Sequence, residues 1–203
     1  MLFTATFAAI TIVFDRQIGF FKAVLVAPVP RPAIAIGKIA AGAVQALVQG
    51  VVLLFFAPLV HVSLGWNVFP LLGAMALAAV TFSALGVAVA SRFTSVTVFP
   101  IVSNAVLLPM FFLSGALYPL VKAPHWIQVA AYFDPVAYAV DLMRGALLEN
   151  TTLPPGLPQF FMSPSLSLGL LAVIIAALAW SAVRVFKRGE DTDLGPTKFA
   201  WRR

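Results

Sequence analysis

Four long runs of apolar residues limit what this sequence can fold into. They cover residues 39–60, 68–90, 96–117 and 166–186, and none of them carries a charge before its last turn. Each run has 21 to 23 residues, so a helix rising 1.5 Å per residue spans the roughly 30 Å hydrocarbon core of a bilayer. The runs are continuous and lack the alternation of barrel strands. The sequence therefore predicts an all-α, polytopic membrane protein with four full transmembrane helices.

The composition excludes other classes of protein. Hydrophobic residues make up 62% of the chain and charged residues 10%, whereas a soluble domain has roughly 25% charged residues. The net charge of +6 comes from basic residues at the ends of the apolar runs, and not from a basic face of the kind that binds nucleic acid. Since the chain has no cysteine, it has no disulfide, thiol nucleophile or cysteine-ligated metal.

Residues 1–14 form a fifth apolar run that is too short to span a bilayer as a helix. Fourteen residues give a helix of only about 21 Å. No basic segment precedes this run and no small-residue cleavage site follows it, so a signal peptide is not favoured. We expect it to be the end of a partial N-terminal span whose beginning lies outside this chain.

The basic residues predict the orientation of the single transmembrane domain that covers residues 1–203. If successive runs cross the membrane in alternate directions, all 13 Lys and Arg residues except Lys122 and Arg144 fall on one side. The positive-inside rule makes that side cytoplasmic. Residues 118–165 are then extracellular, and residues 187–203 form a cytoplasmic tail.

Residues 15–32 have the pattern of an amphipathic helix on the cytoplasmic membrane surface. Apolar residues recur at helical spacing at Phe14, Ile18, Phe21 and Leu25. Three prolines then end the pattern, at Pro28, Pro30 and Pro32. Such a helix either anchors the bundle to anionic lipid or docks a cytoplasmic partner, and the pattern does not choose between them.

Residues 99–144 predict a helix that reaches the external surface and then folds back. An apolar run ends at Ser114-Gly115, and a short stretch rich in proline and aromatic residues follows. Asp134-Pro135 is then typical of a helix N-cap with proline at the first helical position. We expect an extracellular re-entrant helical segment here, with Trp126 in an interfacial aromatic belt.

Asp141 and Arg144 lie three residues apart near the end of this segment. At that spacing on a helix, an acid and a base can pair. The pair is either a structural brace or part of a binding site, and we favour the brace.

Polar residues inside the runs permit two interpretations. Gly42, Ala46 and Gly50 repeat every four residues, which allows close helix packing. Other polar side chains lie beside this ridge or between the two prolines of the third run, 96–117: Gln45, Gln49, Ser103 and Asn104. They either form hydrogen bonds between helices or line a substrate path.

Several motifs in order resemble the permease subunits of type-2 ABC exporters, the ABC-2 type transporter family. They begin with D-R-x-x-G-F-F-K-x-x-L-V-A-P-V-P-R and a later G-K that opens a run. The motifs L-P-M-F-F-L-S-G-A-L-Y-P, P-x-W-I-Q, D-P-V-A-Y and D-L-M-R follow. The similarity extends from Phe14 to Arg144, and the last run agrees with it. This family includes exporters of drugs, polysaccharides and lipo-oligosaccharides.

The resemblance implies outward transport of an amphipathic or hydrophobic drug, lipid or glycan across a prokaryotic inner (plasma) membrane. It implies a second permease copy, in a homo- or heterodimer, and an ABC ATP-binding subunit. ATP and Mg²⁺ would bind to that partner, with no cofactor or metal on this chain.

The resemblance also assigns functional residues. A helix at the ATPase interface would contain Asp15, Arg16, Gln17, Gly19, Phe20, Phe21, Lys22 and Leu25. The extracellular gate would contain Ser114, Gly115, Pro119, Trp126, Asp134, Pro135, Asp141 and Arg144. One departure is Gln17, where the family usually has Glu, so that coupling through a carboxylate would depend on Asp15.

The sequence contains no energy source of its own. Gly37-Lys38 is followed by Ile39, and no G-x-x-x-x-G-K-[ST] motif occurs, so ATP binding through a P-loop is excluded. No Asp, Glu or His lies within the four long runs, which disfavours proton coupling. We expect a permease that is not itself an enzyme; a non-transporting membrane scaffold and a proton-coupled carrier are the alternatives.

Overall fold

The computed structural model of this protein describes residues 1–18, 31–60, 66, 68–118, 120, 123–148 and 163–193. The described part is helical and contains no strand, which confirms the all-α prediction. Its α-helices are α1 (Leu2–Phe7), α2 (Ile10–Gln17), α3 (Arg31–Leu54), α4 (Val68–Ala90), α5 (Val98–Leu113), α6 (His125–Ala131), α7 (Pro135–Leu148) and α8 (Pro164–Asp193). A short 3₁₀ helix, Ala57–Val60, follows α3.

Three of these helices are long and apolar enough to cross a membrane. The qualifying stretches are Pro32–Leu54 in α3, Val68–Ala90 in α4 and Ser165–Val185 in α8. The remaining predicted span, 96–117, forms the 16-residue helix α5, which is about 24 Å long. The helix ends early because Gly115 has a φ of 73°, a left-handed conformation that an α-helix does not contain.

The bounds of α3 and of the predicted surface helix also differ from the sequence prediction. Span α3 begins at Arg31 instead of residue 39 and ends at Leu54 instead of residue 60. Pro32 does not prevent this early start, because proline is tolerated in the first turn of a helix, where its missing N–H has no partner to lose. The predicted surface helix at 15–32 begins inside α2, and residues 19–30 lie outside the described residues.

Only two residues separate helices α1 and α2 in the sequence. The two residues between them, Ala8 and Ala9, both keep right-handed helical torsion angles. Asp15 therefore belongs to the same helical stretch as the apolar N-terminal run.

Helix α4 lies at the centre of the bundle. It contacts α1, α2, α3, α5, α7 and α8. Within its apolar stretch 67% of the residues are buried, against 28% for α3 and 17% for α8. Many of its buried residues are alanines, and small side chains let helix backbones approach closely in a membrane.

The two ends of the bundle have separate buried clusters. One cluster joins the start of α4 to the end of α7 through Leu71, Met75 and Ala146, with Met1 packed against them. The other joins α2, the start of α3, the end of α4 and the start of α5; it includes Ile12, Ala35, Val87 and Phe99. The helix ends at each end of the bundle are therefore the ones that would lie together if successive helices crossed a membrane in alternate directions. Which end faces the cytoplasm stays a prediction.

Glycines let helix α4 approach its neighbours closely. A Cβ on Gly86 would lie 2.6 Å from the Thr6 Cα atom, so α1 and α4 are in backbone contact here. Gly42 of α3 similarly faces Ser83 of α4. Hydrogen bonds reinforce both contacts, because the Thr6 hydroxyl donates to the Phe82 carbonyl at 3.3 Å and the Ser83 hydroxyl donates to the Ile39 carbonyl at 2.8 Å.

We predict that Gly86→Ala destabilises the protein, because its new methyl group would overlap backbone atoms that a rotamer change cannot move. A loss of about 1–3 kcal/mol is typical of such overpacking, and thermal unfolding of the purified protein in detergent measures it. The matched control is Gly73→Ala in the same helix, where nothing lies within 4 Å and alanine favours the helix. Equal stability of the two variants would contradict the close α1–α4 contact.

Candidate functional site

The last turn of α2 is attached to α3 by an ion pair. Lys38 Nζ lies 2.9 Å from Asp15 Oδ2 and donates a second hydrogen bond to Thr11 Oγ1 at 3.2 Å. The two charged side chains are 31% and 26% exposed, so water screens the pair in part.

The neighbouring Arg16 attaches the same turn to α4. Its Nη1 atom donates to the Ser91 carbonyl oxygen at 2.6 Å. Ser91 directly follows α4, and a cation is favourable at this end of a helix because the last carbonyls carry partial negative charge. Asp15 and Arg16 thus join α2 to two spans. We call these two contacts the α2 anchor.

Sequence reasoning found only one side of the α2 anchor. It singled out Asp15 and Arg16, but it did not predict that Lys38 pairs with Asp15 and it gave Ser91 no role. Lys38 carried a usable signal, since a basic residue beside the first turn of a span can reach an acid at the end of the preceding helix. The Ser91 contact involves a backbone carbonyl, which has no signature in the sequence.

The rest of the predicted ATPase interface lies beyond α2. Gln17 is exposed at the end of that helix. Gly19, Phe20, Phe21, Lys22 and Leu25 lie outside the described residues, so their role stays a prediction. Phe14 and Ile18 are large apolar side chains that are exposed here, as either lipid contact or partner docking requires.

The predicted extracellular segment begins with the turn that ends α5. The Ser114 hydroxyl donates to the Phe111 carbonyl at 2.7 Å, and Gly115 then reverses the chain with its positive φ. A Cβ on Gly115 would lie 2.5 Å from Leu120 Cγ, so glycine is required by space as well as by conformation. Pro119 lies outside the described residues.

Arg144 does not form the predicted ion pair with Asp141. Its Nη2 atom instead donates to the Gly115 carbonyl at 2.9 Å. The reason is that the chain reversal presents a carbonyl with no helical partner to this part of α7. Asp141 is buried on α7. Arg144 is therefore a brace between α7 and the end of α5.

Asp134 caps α7 as its sequence predicts. The Val136 N–H donates to Asp134 Oδ1 at 2.8 Å, and Pro135 is the first residue of the helix. Burial raises the pKa of Asp134 to about 7, and the hydrogen bond from Val136 opposes this rise only in part. Asp134 and Asp141 lie outside the three spanning helices, as expected from their sequence positions, yet both are buried.

Aromatic residues surround this segment in two different settings. The Tyr118 hydroxyl donates to the Phe112 carbonyl at 2.7 Å, and the Tyr138 hydroxyl donates to the Tyr132 carbonyl. Trp126 and Phe133 are instead exposed on or beside α6. Trp126 is thus exposed, and its place in an interfacial aromatic belt stays a prediction.

The four polar residues proposed for a substrate path do not form one cluster of exposed side chains. Gln45 and Gln49 are exposed on α3, and the Thr4 hydroxyl donates to Gln49 Oε1, which favours the helix-packing interpretation for Gln49. On α5, Asn104 is exposed while Ser103 is buried. A role in a substrate path stays a prediction for Gln45 and Asn104.

Comparison with known proteins supports the resemblance seen in the sequence. A family model described as "ABC-2 type transporter" matches residues 1–148. Nodulation protein J of Rhizobium leguminosarum bv. viciae is 30% identical over 146 residues, covering 71% of this chain and 56% of that protein.

Two bacterial permeases are similar over comparable lengths. The probable doxorubicin resistance ABC transporter permease protein DrrC of Mycobacterium tuberculosis is 29% identical over 157 residues, or 74% of this chain and 55% of that protein. The inner membrane transport permease YadH of Escherichia coli is 31% identical over 182 residues, or 84% of this chain and 63% of that protein. The chain thus spans less than two thirds of the length of these curated relatives.

We predict that reversing the charge of Asp15 weakens the α2 anchor, and that reversing the charge of Lys38 as well restores it. Asp15→Lys places two cations together and should lower stability by about 1 kcal/mol, the usual range for partly exposed pairs. Adding Lys38→Asp restores opposite charges and should recover most of the loss, as thermal unfolding of single and double variants will measure. If the double variant loses as much stability as the two single variants lose together, the ion pair contributes nothing to stability.

Proposed function

The chain belongs to the ABC-2 type transporter family, and we propose that it is the membrane-spanning permease of an ATP-driven exporter. Its substrate would be an amphipathic or hydrophobic molecule of the drug, lipid or glycan class. The observation that carries this proposal is the family match over residues 1–148, which includes both the α2 anchor and the segment from α5 to α7. The printed names of two similar proteins, a drug-resistance permease and an inner membrane transport permease, agree with it.

In this proposal, energy comes from a separate ABC ATP-binding subunit, which holds ATP and Mg²⁺. The sequence supports this division because it has no P-loop motif, which is how such proteins bind the nucleotide phosphates. The binding surface for that subunit would begin at the exposed end of α2 and continue into residues 19–25. A second permease copy, identical or different, would complete the transporter.

The α2 anchor supports a route for coupling. Because Asp15 binds Lys38 of α3 and Arg16 binds the carbonyl that follows α4, a displacement of α2 would act on two spans together. Helix α4 also packs against α7 along the bundle. Movement produced by the ATP-binding subunit could therefore reach the external segment through one unbroken helix.

The segment from Ser114 to Leu148 would act as the external gate. It starts at the left-handed turn of Gly115, which Arg144 joins to α7. It contains two short helices instead of a full span. Short helices joined by turns can change their packing without breaking a long helix, which suits a gate that opens and closes.

We predict that an ABC ATP-binding subunit co-purifies with this protein, and that Phe20→Asp, Phe21→Asp or Leu25→Asp uncouples ATP hydrolysis from export. A charge at an apolar contact removes coupling energy of about 1–3 kcal/mol, which corresponds to a loss of about 5-fold to 150-fold. Transport and ATP hydrolysis in vesicles that contain both subunits measure the effect.

The matched control is Phe21→Leu, which keeps an apolar side chain and should keep the ratio of export to ATP hydrolysis. If the Asp variants export normally, the interface assignment is wrong. If export continues in vesicles that lack any ATP-binding subunit, the permease proposal itself fails.

A further inference from the structure

Asp134 is a buried carboxyl whose two oxygen atoms have different surroundings. Its side chain lies at the junction of α6 and α7 and the residue is only 4% exposed. Oδ1 accepts the hydrogen bond from Val136 at 2.8 Å. Oδ2 is also buried, but it has no hydrogen-bond partner among the described residues. An ionised carboxylate would thus leave one of its charged oxygens without solvation, which is costly.

In the part of the chain that the structure describes, the helices packed most extensively against α7 bring no compensating charge. These helices are α4, α5 and α8. Neither Val68–Ala90 nor Val98–Leu113 contains any charged or titratable residue. Helix α8 begins at Pro164, and its first charged residue is Arg184, 20 residues later in the sequence.

The described titratable groups nearer in sequence do not supply a positive charge either. His125 at the start of α6 is exposed. On α7, Tyr138 is one turn away and its hydroxyl donates to the Tyr132 carbonyl, while Asp141 is a second acid. The guanidinium of Arg144 donates to the Gly115 carbonyl. A proton on Oδ2 would therefore neutralise the Asp134 carboxylate, and it needs no cavity to bind.

We propose that Asp134 is a proton-binding site, and that its protonation keeps the junction of α6 and α7 closed. The neutral acid still accepts the Val136 N–H through Oδ1, so protonation preserves the cap. Loss of the proton places a charge on Oδ2, which then requires water, and the junction opens to admit it. Burial raises the pKa of Asp134 to about 7, so this change falls near neutral pH.

The direction of the pH effect follows from linkage. The ordinary pKa of this carboxyl is 3.8 and burial raises it to about 7 in the folded protein. Between these values the folded state binds more protons than the unfolded state, so stability falls as pH rises. Between about pH 6 and pH 8 this single group should increase the unfolding equilibrium constant about tenfold. The inference does not rest on the exporter proposal, because it concerns the permease without its partner or substrate.

The test combines infrared spectroscopy with thermal unfolding of the purified permease in lipid nanodiscs. We expect a protonated carboxyl band that disappears between about pH 6 and pH 8 around the pKa given above. This band should be absent in Asp134→Asn and retained in the matched control Asp15→Asn, which removes a partly exposed, ion-paired carboxyl instead. Asparagine is also a good N-cap, so the first variant should fold.

Thermal unfolding supplies the second readout. The unaltered protein should unfold about 3 °C lower at pH 8 than at pH 6, whereas Asp134→Asn should lose this dependence and Asp15→Asn should keep it. The proposal is overturned if no carboxyl of the unaltered protein releases a proton in this pH range. It is equally overturned if Asp134→Asn retains the band, since the titrating group then lies elsewhere. The titration of the unaltered protein decides the question even if a variant fails to fold.

Discussion

Close packing around α4 is the constraint on which the rest of this structure depends. Lipid provides no hydrophobic driving force between helices, so a membrane bundle is held by van der Waals contact between small residues and by a few hydrogen bonds. Helix α4 supplies both, with Gly86 in backbone contact with α1 and Ser83 bonded to a carbonyl of α3. Six of the other described α-helices pack against it, namely α1, α2, α3, α5, α7 and α8. The position of each candidate functional segment is therefore set relative to α4.

The polar contacts of this protein lie where helices end, and this placement has a physical reason. Inside a helix the backbone satisfies its own hydrogen bonds, whereas the last carbonyls of a helix do not. Arg16 uses such a carbonyl at the end of α4, and Arg144 uses the carbonyl of Gly115 after α5. Both arginines thereby join segments that a transporter would have to move. Arg16 thus attaches α2 to the end of α4, and Arg144 attaches α7 to the turn that follows α5.

Much of the fold could be predicted from residue patterns, and the failures have a common cause. The bounds of the 68–90 span agree with α4, and the cap at Asp134 agrees because Asp followed by Pro is a local signal. The span 96–117 was predicted too long, since apolar character continues past Gly115 while the helix does not. The Asp141–Arg144 pair was wrong because spacing on one helix cannot show that another segment offers a carbonyl to the arginine.

The sequence by itself determined that this protein is an all-helical membrane protein of the ABC-2 type transporter family. Runs of more than 20 apolar residues have no other stable arrangement, because lipid cannot satisfy an exposed backbone. Only the tertiary structure decided that Asp134 is buried and has an oxygen without a hydrogen-bond partner in the described part of the chain. Around the junction of α6 and α7, Leu120, Ala131 and Ala137 form one buried cluster, and no local pattern in the sequence records such packing between segments.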